Sequence, residues 1–337
     1  MPNVPKPRLR RWTRTRGPVA AAQPPPETPN VEIIEAEGLR WINIERPRPI
    51  DRAWLEEHFD FHPLDYEDVF SRNQRPKIDE YDDYLFIVLH FARFDKRVQR
   101  LNAAEVDIFV GPDYVISLPN EPLDPLEYLF ERCRAREDVR RDLFSRGPGY
   151  LLYKIVDDCV DASFPMLRKM GNKLERLETD IFEGRSEEIV RDLSNAKQEI
   201  INFRKIVRPQ RTSLHDLERT KQKYFSETLD VYFDDIVDAS ERVWDMLENY
   251  KEVVEGLEDT NESVIAHRFN GILRILTVLS IVFLPATLIA SIWGMNVGLP
   301  GGGDPTTGSS AVFWVLVSVM VIVIGGMIVF FRRRRWF

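Results

Sequence analysis

The sequence predicts an α+β membrane protein: an N-terminal α/β domain and a helical middle in the cytoplasm, followed by two C-terminal transmembrane helices. Four observations predict it. Ile275 to Trp293 and Ala311 to Phe331 each run for roughly 20 residues without a charge, the length that spans a hydrocarbon layer. Elsewhere charge is plentiful, since 30% of the 337 residues are Asp, Glu, Lys or Arg. Arg332 to Arg335 form a basic block directly after the second run, whereas the loop between the runs carries only Asp304. Finally, residues 31 to about 145 alternate strand and helix signals before helical periodicity takes over.

Residues 1–30 are basic and proline-rich and have no apolar core of the kind a signal peptide needs, so they read as a disordered tail whose arginines are solvated or touch anionic lipid. In the stretch to about residue 145, "WINIE" (41–45), "YLFIVLHFARF" (84–94) and "VDIFVGPDYVISLP" (106–119) predict strands, the last a hairpin turning on Gly111 to Asp113. "PIDRAWLEEHF", "HPLDYEDVF" and "DPLEYLFERCRARE" open with helix-start residues and predict helices. Residues 146–225 predict an antiparallel helical pair turning near Gly184 to Ser186, with kinks at Pro165 and Pro209. No proline interrupts the helical pattern from about Glu227 to Leu284. Residues 226–293 therefore predict one helix of roughly 100 Å that enters the bilayer at about residue 272. A loop (294–310), the second span (311–331) and a basic cytoplasmic end (332–337) complete the chain.

The positive-inside rule places both termini in the cytoplasm of a multi-pass protein of the cell (inner or plasma) membrane. Trp293 and Trp314 then sit at the outer interface and Trp336 at the inner one. The net charge of −8, despite the basic ends, makes the middle acidic; nucleic acid is excluded as an obvious partner and cations are favoured. Cys133 and Cys159 match no metal or redox spacing. No nucleophile triad, phosphate loop or organic-cofactor motif occurs, so no enzyme is expected.

One stripe of the first span is small and hydroxylic. At 100° per residue, Ser280, Thr287 and Ser291 fall within an arc of about 40°, with Leu273, Leu276 and Leu284 on or beside that face. Stepping back by three and four residues continues the stripe through Asn270, Ala266, Ser263, Asp259, Gly256 and Glu252, nearly all small or polar. Packing against another membrane helix is one reading. The other is a water-filled path, which two spans cannot enclose alone but a ring of subunits can.

"GMN" at Gly294 to Asn296, closing the first of two C-terminal spans and followed by a short outer loop and a basic-aromatic end, resembles the CorA family of divalent cation channels. Upstream, "LDYEDVFSRNQRPKIDEYDDYLFIVL" (64–89), "GYLLYKIVDDCVDASFPML" (149–167) and "YFDDIVD" (232–238) are similar to the family's cytoplasmic segments. The resemblance implies a homopentamer whose long first helices form a funnel, with the second span outside the pore, and Mg²⁺ as both cargo and regulator, Co²⁺ or Ni²⁺ also passing. It implies a selectivity filter at Gly294, Met295 and Asn296, the asparagine amides receiving hydrated Mg²⁺, which releases its water reluctantly. It implies a path lined by Asp259, Asn270, Leu273, Leu276, Ser280, Leu284, Thr287 and Ser291, with leucine constrictions at 276 and 284. It also implies an intersubunit sensor in which Asp68 faces Asp235 of the neighbouring chain, with Glu67 and Asp157 near a second ion.

The outer loop "NVGLPGGGDPTTGSS" departs from the acidic loop of the magnesium branch and resembles that of the ZntB zinc branch, so Zn²⁺ is the alternative cargo; "YLFIVL" and "TLIASIWGMN" lean toward magnesium. A nonconducting membrane-anchored sensor or scaffold is a further reading. His58 and His62 have a spacing that can hold zinc on a helix, but Pro63 ends a continuous turn and the plain structural reading is preferred. His215 and His267 read as surface residues.

Overall fold

The stretches at 84–94 and 106–119 become inner strands of a six-stranded sheet. In a computed structural model, residues 28–71, 74–95, 100–183, 186–225, 229–294 and 310–334 are described. Residues 1–27 of the basic tail, Met295, Asn296, the outer loop to residue 309 and the last three residues lie outside this set. The described residues divide into two units, one reaching to Ala162 and including Ile206–Glu241, the other containing Ser163–Lys205 and the chain from Arg242 onward.

In the first unit, strands β1 (Glu32–Ala36), β2 (Leu39–Asn43), β3 (Lys77–Glu80), β4 (Leu85–Asp95), β5 (Arg100–Val110) and β6 (Tyr114–Pro119) lie in the order β1-β2-β6-β5-β4-β3. All neighbours are antiparallel except β2 and β6. The expected hairpin is present as β5 and β6. Gly111 at its turn is required by crowding, because a Cβ there would overlap the Tyr114 ring. Leu85 to Leu89 are buried without alternation, as an inner strand covered on both faces demands. The short edge strands β1 and β3 were not expected from sequence. β3 reads "KIDE", and its charged residues suit an edge.

Two helices, α1 (Pro49–His58) and α2 (Pro63–Phe70), cover one face. Leu55, Phe61, Tyr66 and Val69 pack there on Ile42, Phe86, Val88, Phe109, Ile116 and Leu118. Each helix has proline in its first turn, where no N–H is needed. His62 caps α2, accepting from Leu64 N at 3.3 Å, and His58 stacks on Trp54, so both histidines have structural roles. The helices α3 (Asp124–Ala135), α4 (Glu137–Phe144) and α5 (Pro148–Asp161) serve the other side. There Trp41 meets Phe130 edge-on at 4.9 Å and donates Nε1–H to Ser117 Oγ, which donates to Asn43 Oδ1. Both cysteines are free and buried.

Three long helices continue the chain: α6 (Ser163–Glu183), α7 (Ser186–Tyr224) and α8 (Asp230–Trp293). α5 ends at Asp161 and α6 starts anew at Ser163, so Pro165 falls in a first turn and is not a mid-helix kink. Pro209 does lie inside α7. In the second unit the buried residues Leu167, Met170, Leu174, Leu177 and Ile181 of α6, and Ile189, Leu193, Ala196, Ile200 and Phe203 of α7, recur every three or four positions. Lys197 pairs with Glu258 at 2.6 Å, and Arg204 pairs with Glu248 while lying over Trp244.

α8 is 64 residues long, and α9 (Ser310–Arg333) is the second apolar helix. Only 17% of the apolar window of α8 is buried and none of that of α9, whereas the core helix of a soluble protein would be covered. They touch through Val278 and Val282 on one side and Ile324, Met327 and Phe331 on the other.

Candidate functional site

Contact with α9 divides the faces of the α8 span. Val278, Val282 and Ala286 are buried. The centre of the Ser280, Thr287 and Ser291 stripe lies roughly 160° around the helix from theirs. Leu273, Leu276 and Leu284 on or beside the stripe are 43%, 56% and 65% exposed, and Asn270, Asp259, Ser280, Thr287 and Ser291 are also exposed. The polar face therefore does not serve packing against α9 within one chain. Ser280 and Thr287 donate their hydroxyl protons to the carbonyls four residues back, both at 2.9 Å. What each hydroxyl has left to present is oxygen lone pairs, acceptors suited to a cation or its water. Pro285 sits inside this stretch and has no N–H for the carbonyl of Ile281. At the helix end, exposed Gly294 donates its N–H to Ala290 O at 2.9 Å.

The four expected acidic ligands lie in the first unit. Asp157, on α5, pairs with Lys154 at 2.9 Å, and Asp158 pairs with the same lysine at 2.8 Å. Burial opposes charge on Lys154, but hydrogen bonds to Asp158 and Asp157 outweigh it and hold its pKa above the ordinary value. Burial, and next the charge of Asp157, push the Asp161 carboxyl upward, with a smaller contribution from Asp235. Asp157 and exposed Asp235 thus belong to one acidic patch, near Tyr153 and Tyr232, whose rings lie 4.9 Å apart.

Asp68 belongs to a different group. One carboxylate oxygen each from Asp65, Asp68 and Asp79 lies within 4.8 Å of the others, and Lys77 bridges Asp68, at 2.7 Å, and Asp79. Tyr81 and Tyr84 donate their hydroxyls to the two oxygens of buried Asp65 at 2.9 and 2.7 Å. Burial raises the Asp65 pKa and the two tyrosine hydrogen bonds oppose the shift. Burial lowers the Lys77 pKa, but Asp68 and Asp79 overcome it and carry it to about 12. Glu67, exposed on α2, is outside this group. Sequence reasoning missed Asp65, Lys77, Asp79 and Asp161. The Asp65 and Asp68 spacing of three on one helix was a usable signal, but Lys77 and Asp79 share a face only because the unexpected β3 pairs with β4.

The pattern of the family described as CorA-like Mg²⁺ transporter protein matches residues 36–333, nearly the whole described chain. The chain belongs to this CorA-like family. The cobalt/magnesium transport protein CorA of Thermotoga maritima is 30% identical over 259 residues, covering 76% of this chain and 72% of that protein. The zinc transport protein ZntB of Yersinia enterocolitica is 22% identical over 283 residues, covering 81% of each. Among solved structures, the complete CorA magnesium transporter of Methanocaldococcus jannaschii superposes with a TM-score of 0.77 at 22% identity, covering 90% of this chain and 93% of that one. As a CorA-like protein this chain is a divalent cation transporter built from an N-terminal α/β unit, a long helix and two apolar C-terminal helices. Met295 and Asn296, expected to form the filter, lie outside the described residues, as does Arg335 of the basic block.

Proposed function

We propose that five copies of this chain surround a path for Mg²⁺, driven inward by the membrane potential, with Co²⁺ or Ni²⁺ also admitted. The observation that carries this reading is the exposed polar stripe of α8 on the side away from α9. In a ring, Ser280, Thr287 and Ser291 supply circles of oxygen acceptors, and Leu276 and Leu284 form apolar constrictions that close by dewetting. Asn296 amides at the outer mouth accept hydrogen bonds from the water shell of the ion without stripping it, and Gly294 and Met295 shape and brace that turn. A divalent ion gains about 4.6 kcal/mol per 100 mV, so no nucleotide is needed.

Cytoplasmic Mg²⁺ regulates the path. Asp68 of one chain and Asp235 of its neighbour share an ion that offsets their repulsion, with Glu67 and Asp157 at a second, and loss of these ions frees the ring to open. Both chain ends are cytoplasmic in the cell membrane, on the strength of Arg332 to Arg335. Zinc is the second reading, favoured by the glycine-rich outer loop with Asp304 alone and by the likeness to ZntB.

Reconstituted vesicles test the proposal. Mg²⁺ uptake is expected, and Asn296→Ala abolishes it; uptake that survives the substitution removes the filter assignment, and absence of uptake by the intact chain leaves an anchored sensor or scaffold. Zn²⁺ flux exceeding Mg²⁺ flux and rising with a proton gradient would assign the zinc reading.

A further inference from the structure

Asp107 lies in the core of the first unit with no exposed surface, and neither carboxyl oxygen has a hydrogen-bond partner among the described residues. Buried polar groups without partners are rare and call for a cause. Its position in the sheet supplies one. Asp107 is opposite Val88, and Val88 is opposite Lys77, so the three form one row across β5, β4 and β3. Directly opposed residues point to the same face, and Asp79, two positions from Lys77, shares it. This is the face under α2, which carries Asp65 and Asp68. Burial raises the Asp107 pKa well above the ordinary carboxyl value, and the charges acting on it are, in order, those of Glu105, Asp68 and Lys77. The unpartnered carboxyl is therefore on the sheet face that also carries Lys77 and Asp79, where Asp65, Asp68 and Asp79 converge.

The geometry points to a divalent-cation site within a single chain, formed by Asp65, Asp68 and Asp79 with Asp107 behind them, in which the Lys77 ammonium is a tethered competitor of the ion. The ligands are all carboxylate oxygens, the donor set of hard cations such as Mg²⁺ and Mn²⁺. Tyr81 and Tyr84 fix the Asp65 carboxylate from one side and leave each oxygen a further lone pair. An arriving ion replaces the bridge of Lys77 to Asp68 and Asp79; the lysine, one-third exposed, swings to solvent. Because Asp68 is shared with the proposed intersubunit sensor, this inference rests on that reading for its regulatory meaning, though not for the existence of the site. Lys77 then sets the cation concentration at which Asp68 responds.

Mn²⁺ bound per chain, counted by electron paramagnetic resonance on the full-length protein in detergent, tests this. Asp65→Asn and Asp79→Asn should each remove one Mn²⁺ per chain, and Asp235→Asn should leave that ion in place. Lys77→Met should tighten the same ion by about tenfold or more, since it deletes a positive charge among the ligands; a gain of affinity cannot come from misfolding. Unchanged stoichiometry in both aspartate variants, or unchanged affinity in Lys77→Met, would overturn the site. Ions lost only in Asp235→Asn would keep the intersubunit sensor and reject this site, and the opposite pattern would keep this site and reject the sensor.

Discussion

Asp51 shows how a single buried charge is held. It is wholly covered, and its carboxylate accepts the backbone N–H groups of Arg48 and Asn30 at 2.9 and 2.7 Å together with the Arg48 guanidinium at 3.0 Å. Asp51→Ala leaves two backbone donors without their acceptor, so a loss of about 1–3 kcal/mol is expected, read as a lower thermal midpoint of the purified protein. Glu241 makes a pH-dependent contribution. The hydrogen bond from Arg211 holds its carboxyl below the ordinary value of 4.5, with His215 adding a smaller pull in the same direction. A depressed carboxylate pKa stabilises the fold above the unfolded value and the benefit disappears as pH falls through the folded value. Glu241→Gln should therefore cost about 1 kcal/mol or less at neutral pH, and the gap to the parent should close below about pH 4.5 in an acid titration of stability. His215 faces Glu218 as well as Glu241, so parent and variant need the same buffer series.

Elements divide by how local their cause is. β4 and the β5–β6 hairpin were legible because a continuous apolar run and a Gly-Pro-Asp turn declare themselves within a dozen residues. β1 and β3 were not, since four or five polar-rich residues become strands only when a distant neighbour offers its edge. The same limit hid part of the acidic group: Asp68 could be singled out through its family resemblance, whereas Asp79, Lys77 and Asp107 come to one sheet face only through the β3–β4–β5 register. On α8 the two faces make opposite predictions. Thr287→Val keeps the shape and removes the outward acceptor, so Mg²⁺ flux into vesicles should fall severalfold while the thermal midpoint stays. Val282→Thr buries a hydroxyl against α9, and it should lower the midpoint while leaving flux near that of the parent. Equal flux loss in both would mean the stripe has no special role.

For the whole molecule the question is assembly. A chain with two spans encloses nothing, and the exposure of Leu273, Leu276 and Leu284 in one copy is large enough that further copies or lipid must cover it. If Asp68 and Asp235 hold an ion between neighbours, Mg²⁺ should slow proteolysis of the intact oligomer, and Asp68→Ala or Asp235→Ala should remove that protection. Retained protection in both variants would discard the intersubunit sensor.

The amino-acid sequence by itself determined the two membrane spans, the long helix leading into them and the phase of its polar stripe, because hydropathy, run length and the 3.6-residue period are properties of neighbouring residues. Only the tertiary structure decided which face of α8 is covered by α9, the parallel pairing of β2 with β6, and the convergence of Asp65, Asp68 and Asp79. Those outcomes depend on register and packing between segments far apart in the chain, which the local pattern of either partner does not encode.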